Sequence, residues 1–201
     1  MLNKSKRRGE DIAILNNCGV IPNSRDNDAD NNDNDLYDCY VTKLADNCSG
    51  DLISNGHHQH AQSIIRNIFS HADKKVRIFT SALSPEIYKD PRVTDAARAF
   101  LSRDGTSMDI LLQHGEKLKR DLEFFKFCSE NTNQCTVKNV VDSTDKSLTQ
   151  HMVVMDKIGY RFCTDPDLEN HIAIASFNAP PTAKNLADQF DILFERAEKF
   201  S

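Results

Sequence analysis

The segment Gln150-His151-Met152-Val153-Val154-Met155-Asp156 holds a histidine and an aspartate, and Ala175-Ser176-Phe177-Asn178 holds a hydroxyl and an amide suited to holding phosphate oxygens. On a strand, alternate residues share a face, so His151, Val153 and Met155 point one way while Met152, Val154 and Asp156 point the other. A histidine at the start of a buried strand projects from the sheet edge, where clefts form. Ser176 and Asn178 share a face of their own strand and offer a hydroxyl and an amide. Pro180-Pro181 then opens a helix, whose first turn presents backbone N–H groups and a positive dipole end. Together these pieces describe a neutral or mildly positive anion cradle.

The elements that must position them are legible from residue 57 onward. Ala61, Ile64, Ile65, Ile68 and Phe69 share one helical face. VRIFTSA (76–82) reads as a buried strand. Val93, Ala96, Ala97, Phe100 and Leu101 define a second helix that Asp104-Gly105 closes. MDILLQ (108–113) is a strand, and Leu118, Leu122, Phe125 and Cys128 define a third helix. CTVKNVV (135–141) is the next strand. HMVVMD and YRFC form a hairpin around Lys157-Ile158-Gly159, and IAIASFN (172–178) follows. The last helix buries Leu186, Phe190, Leu193 and Phe194. Helices alternate with strands and then strands run together. The expected fold is α/β, with a mixed sheet flanked by helices.

This order, with the HMVVMD hairpin and ASFN before the last helix, resembles one half of a phospholipase D-like fold over residues 57–201. The resemblance implies a His-x-Lys-x4-Asp motif followed by Gly-Ser-x-Asn. In that pattern one histidine attacks phosphorus, a lysine holds the phosphate and a second histidine protonates the leaving group. Single-half members build such a site by homodimerisation. Two alignments are open here. With His151 as nucleophile, Val153 takes the lysine place and Ile158 the aspartate place. With Asp156 matched to the aspartate, Thr149 takes the histidine place and His151 the lysine place. Ser176 and Asn178 match the second motif, with Ala175 for glycine. Neither frame gives a full triad. Losing one preorganised donor costs roughly 10²–10³ in rate. Arg161, across the hairpin from the His151 strand, is the best substitute cation, ahead of Lys157 and Lys184; Asp165, Asp167 or Glu169 could equally pair with it.

The expected function is therefore a catalytically degenerate phospholipase D-like domain, homodimeric, binding a phosphate-bearing ligand, nucleic acid or a partner protein. His151 is the candidate catalytic residue, and Ser176, Asn178, Arg161 and Asp156 are the candidate ligand-binding residues. The alternatives are a metal-independent phosphodiesterase or nuclease, and a purely structural interaction subunit. No cofactor or metal is expected. His57, His58 and His60 lack a fixed carboxylate partner and read as solvated surface. His114 could border the His151 edge. Phe124, Phe125 and Phe127 read as core or dimer packing.

Composition narrows the partners. The chain has 201 residues and a net charge of -5, so no global basic field draws nucleic acid or an anionic membrane. No apolar run is long enough to span a bilayer. Residues 1–56 form a separate acidic segment, with six Asp and four Asn within 26–38. That stretch reads as a solvated linker, and it lacks the Gly and Glu of a calcium loop. Short apolar pieces, 12–15 and 36–44, flank it. The six cysteines form no C-x-x-C pair. With no apolar stretch of signal-peptide length, reduced thiols and a cytoplasmic location are expected.

Overall fold

The computed structural model describes residues 29–164 and 173–200, with side chains from residue 33. The apolar piece 12–15, residues 26–28, and Asp165, Asp167 and Glu169 lie outside the described residues. Among the described residues, eight strands form one mixed sheet in the order β1-β7-β6-β5-β2-β3-β4-β8. The strands are β1 (Ile53–Asn55), β2 (Lys75–Thr80), β3 (Ser107–Leu112), β4 (Cys135–Asn139), β5 (Gln150–Met155), β6 (Gly159–Thr164), β7 (Ala173–Ser176) and β8 (Glu198–Lys199). The helices are α1 (Ala29–Asp46), α2 (His58–His71), α3 (Pro85–Tyr88), α4 (Pro91–Leu101), α5 (Glu123–Glu130), α6 (Ser143–Lys146) and α7 (Pro180–Arg196).

Strands β2, β3 and β4 run parallel, because helical crossovers separate them. Strands β5, β6, β7 and β1 are antiparallel to their neighbours. Period-two alternation then divides the core into two layers. Val153 and Met155 of β5 join Ile64, Ile68, Phe100 and Phe124 on one face of the sheet. Met152 and Val154 join Phe79, Leu111 and Phe190 of α7 on the other. Phe124, Phe125 and Phe127 are all buried in the first layer.

Several boundaries differ from the sequence reading. The acidic stretch expected as a linker enters α1 from Ala29 onward. Val41, Leu44 and Ala45 of α1 are buried, which supplies the tertiary packing that composition does not reveal. Asp38 of α1 accepts from Arg66 of α2 at 2.9 Å, and His71 Nε2 lies 3.0 Å from Asp46. Leu118 and Leu122 precede α5 rather than lying in it. Contrary to the expectation of reduced thiols throughout, Cys39 is disulfide-bonded. Among the described residues, no helix is long and apolar enough to cross a membrane.

Candidate functional site

The parallel strands β2 and β3 end where β5 begins, so one edge of the sheet gathers Thr80, Ser81, His151 and Asn55. His151 follows Gln150 at the start of β5 and faces the α2 layer, since it shares parity with Val153. Arg161 pairs with Val153 across the hairpin and so faces the same layer. Both line a small cavity of about 30 Å³ together with Tyr88, Thr80, Ser84 and Ile65. That is room for about one water.

Arg161 is 7% exposed. Its Nε and Nη2 donate to one oxygen, Asn55 Oδ1, at 3.3 and 3.1 Å. Among the described residues no carboxylate pairs with it; the nearby groups that favour its charge are Cys163, Tyr88 and Tyr37. Burial lowers the guanidinium's pKa from its usual value. Arginine starts so high that it is still a cation at neutral pH. Arg77 of β2, 6% exposed, makes the opposite choice. Its Nε and Nη2 donate to the two oxygens of Asp191 at 2.7 and 3.0 Å.

The His151 ring has a defined hydrogen bond. The backbone N–H of Ser81 donates to Nε2 at 3.0 Å, so the neutral ring carries its proton on Nδ1. The lone pair that would attack phosphorus is engaged there. His114 borders the same edge through its backbone, donating N–H to Ser81 O at 2.8 Å, while its ring lies 3.2 Å from Glu116. In either alignment frame it is His151 that reaches the cavity; Thr149 is exposed.

Asp156, Ser176 and Asn178 lie at the other edge. Ser176 pairs with Tyr160, which pairs with Val154, three residues along β5 from His151. That places it roughly 10 Å along the strands and roughly 10 Å across them from His151. The antiparallel order of three successive strands is the reason. β6 returns the chain to the His151 edge, and β7 carries it away again before Ser176. Ser176 is buried and its Oγ accepts the Asn178 N–H at 3.4 Å. Asn178 is exposed and does not cap α7, whose N-cap is Ala179 followed by prolines.

Asp156 closes the β5–β6 turn with φ 50, followed by Lys157 with φ 61. Two left-handed residues in sequence match the twist that a tight hairpin needs. The Asp156 carboxylate accepts backbone N–H bonds from Lys74 at 2.8 Å, from Lys75 at 2.7 Å and from Asp73. It anchors the start of β2. Lys157 and Lys184 both donate to Asp188 at 2.7 Å, and these bonds hold its carboxyl at about 2.

Of the predicted residues, the fold therefore brings His151 and Arg161 together and keeps Asp156, Ser176 and Asn178 apart from them. Spacing in the sequence does not single out Asn55, Tyr88 or Ser81, because each comes from a separate part of the chain: Tyr88 lines the cavity, Asn55 meets Arg161 and Ser81 meets His151. The histidines near α2 serve packing: His60 stacks on Tyr37 at 3.6 Å, with His57 edge-on to it at 5.2 Å.

The family model described as "Domain of unknown function (DUF7931)" matches residues 57–201. Comparison with curated proteins gives no match. Among solved structures, the chain is similar to NucT from Helicobacter pylori at 11% identity and TM-score 0.54, covering 75% of this chain and 100% of that one. It is similar to Nuc from Salmonella typhimurium, a phospholipase D family member, at 10% identity and TM-score 0.51, covering 75% of this chain and 97% of that one. It is also similar to the archaeal chromatin protein TrmBL2, described as showing a novel mode of DNA binding, at 11% identity and TM-score 0.53. That match covers 98% of this chain and 62% of TrmBL2, so the chain spans less than two thirds of it. At such identities the likeness establishes the fold, which is phospholipase D-like, and no activity.

Proposed function

We infer from two premises, that the chain belongs to the family described as Domain of unknown function (DUF7931) and that its fold is phospholipase D-like, that it is a phosphate-binding domain with a degenerate active site. The observation that carries this reading is Arg161. A guanidinium 7% exposed, with no carboxylate partner among the described residues, is a costly thing to build. An uncompensated buried charge costs about 3–5 kcal/mol. An anionic ligand offsets that cost, and His151 and Tyr88 line the same cavity. Two features argue for binding rather than turnover. No lysine accompanies His151 in either frame of the motif. The His151 Nε2 lone pair already accepts from Ser81. Pairing with a second copy belongs to the same reading, since one chain supplies one His151 and the single-half architecture it resembles works as a homodimer.

The test measures inorganic phosphate binding by calorimetry, and hydrolysis of bis-p-nitrophenyl phosphate and single-stranded DNA with and without EDTA. Wild type, Arg161→Met and His151→Ala are compared, and sedimentation gives their oligomeric state. The expected result is phosphate binding by wild type, loss of at least about tenfold in Arg161→Met from a lost charged contact, and no hydrolysis. EDTA-resistant hydrolysis that disappears in His151→Ala would make the protein a phosphodiesterase and sink the degenerate-site reading.

A further inference from the structure

Strand β1 lies at the edge of the sheet and is three residues long. Its last residue, Asn55, is 3% exposed. Asn55 Oδ1 receives both the Nε and the Nη2 donors of Arg161. That edge of a guanidinium is one that grips carboxylate and phosphate oxygens. The amide orientation is fixed from its other side, because Nδ2 donates to Ala173 O at 3.1 Å. We propose that Asn55 is a built-in plug, its Oδ1 occupying the place of a ligand oxyanion on Arg161, so that β1 and the anion compete for one guanidinium. The proposal rests on the phosphate-binding reading and adds its regulation.

Three observations support competition over simple structural satisfaction. The plug is neutral. An amide oxygen satisfies the donors but supplies no countercharge, and a hydrogen bond to a charged acceptor is roughly twice as strong. A phosphate therefore displaces Asn55, whereas a carboxylate at position 55 would lock the site. The element that carries the plug is also weakly held. Among the described residues β1 pairs with β7, at Ile53, Ser54 and Asn55, and its other edge receives the Tyr37 hydroxyl, which donates to Ser54 O at 3.4 Å. Short edge strands lie at the low-stability end of a fold. Finally, β1 falls outside the residues that the family model matches, 57–201, which hold Arg161 and His151.

The experiment uses the full chain and inorganic phosphate as the probe, with folding of each variant checked by circular dichroism. Asn55→Ala removes the competing acceptor and is expected to bind phosphate roughly fivefold more tightly, the equivalent of one net neutral hydrogen bond. Asn55→Asp is nearly isosteric and is expected to bind at least about tenfold more weakly, because it gives Arg161 its countercharge. Binding by Asn55→Ala that is unchanged or weaker than wild type overturns the plug and makes Asn55 a scaffold or a ligand-contacting residue. Unweakened binding by Asn55→Asp overturns it as well, and this variant decides the matter if Asn55→Ala does not fold. Arg161→Met separates the two readings. If it binds phosphate like wild type, the phosphate site itself is elsewhere and the underlying function fails. If it alone loses binding while both Asn55 variants behave as wild type, only the plug fails.

Discussion

Arg77 and Arg161 stand on opposite faces of one sheet, at 6% and 7% exposure, and they are held in different ways. Arg77 forms a two-pronged ion pair with Asp191 of α7. Among the described residues, Arg161 has the amide oxygen of Asn55 as its hydrogen-bond acceptor. The same contrast separates the two edges of the sheet. At the hairpin edge, Asp156 is filled by three backbone N–H groups, and Lys157 and Lys184 share Asp188. At the His151 edge a buried cation meets no carboxylate among the described residues. Groups that already have complementary partners position the chain. A charge left without one marks where a ligand adds most.

The comparison is sharpest where partners are removed. Asp156→Ala takes away the acceptor of three N–H groups and puts a methyl side chain at φ 50. The expected loss is about 3 kcal/mol in urea unfolding, and Asp156→Gly, which tolerates that φ, is expected to lose about 2 kcal/mol. Phosphate binding per folded molecule stays unchanged in both; a parallel loss of binding would break the division between the edges.

The arginines come next. Arg77→Met is expected to destabilise by about 2 kcal/mol, less than a fully buried pair because the Asp191 side chain is 37% exposed. Arg161→Met removes a buried charge for which the described residues hold no ionic partner; relief of that cost, less the loss of the Asn55 hydrogen bonds, is expected to raise stability by about 1–3 kcal/mol, while phosphate binding falls at least about tenfold. Equal destabilisation by the two substitutions would mean that both arginines are structural.

A smaller effect follows from His60. Burial, and then the neighbouring His57, lower its pKa below the usual histidine value. The folded state thus binds this proton less readily than the unfolded chain. Its contribution is complete above about pH 6.5 and is lost as pH falls through the lower folded value. The His60–Tyr37 stack is therefore expected to loosen in mild acid, read as faster hydrogen exchange in α1 than in α7. In His60→Phe that acid sensitivity is expected to fall. The smallest effect belongs to Lys184→Ala on the exposed Asp188 cluster, at about 0.5 kcal/mol or less by thermal melting.

Much of the fold was legible because hydrophobic periodicity survives any tertiary arrangement. The strand at 108–113 and the faces of α2, α4 and α7 follow from it directly. The helix over the acidic stretch was not legible, since composition describes solvation and not the packing of Val41 and Leu44 against neighbours. That Arg161 lies across the hairpin from the His151 strand was legible, because a hairpin is local; the register itself pairs Arg161 with Val153 and His151 with Cys163.

The sequence by itself therefore determined the α/β class, the mixed sheet, the hairpin and the place of Arg161 across it from the His151 strand. All of these depend on short-range spacing. Only the tertiary structure decided that Ser176 and Asn178 stand at the far edge, because the antiparallel pairing of β7 with β6 sets the direction in which β7 arrives. It alone decided that Asn55, about a hundred residues from Arg161 in the chain, meets that guanidinium. A contact of that range depends on strand order, and strand order is set by the packing of the whole sheet and not by any local pattern.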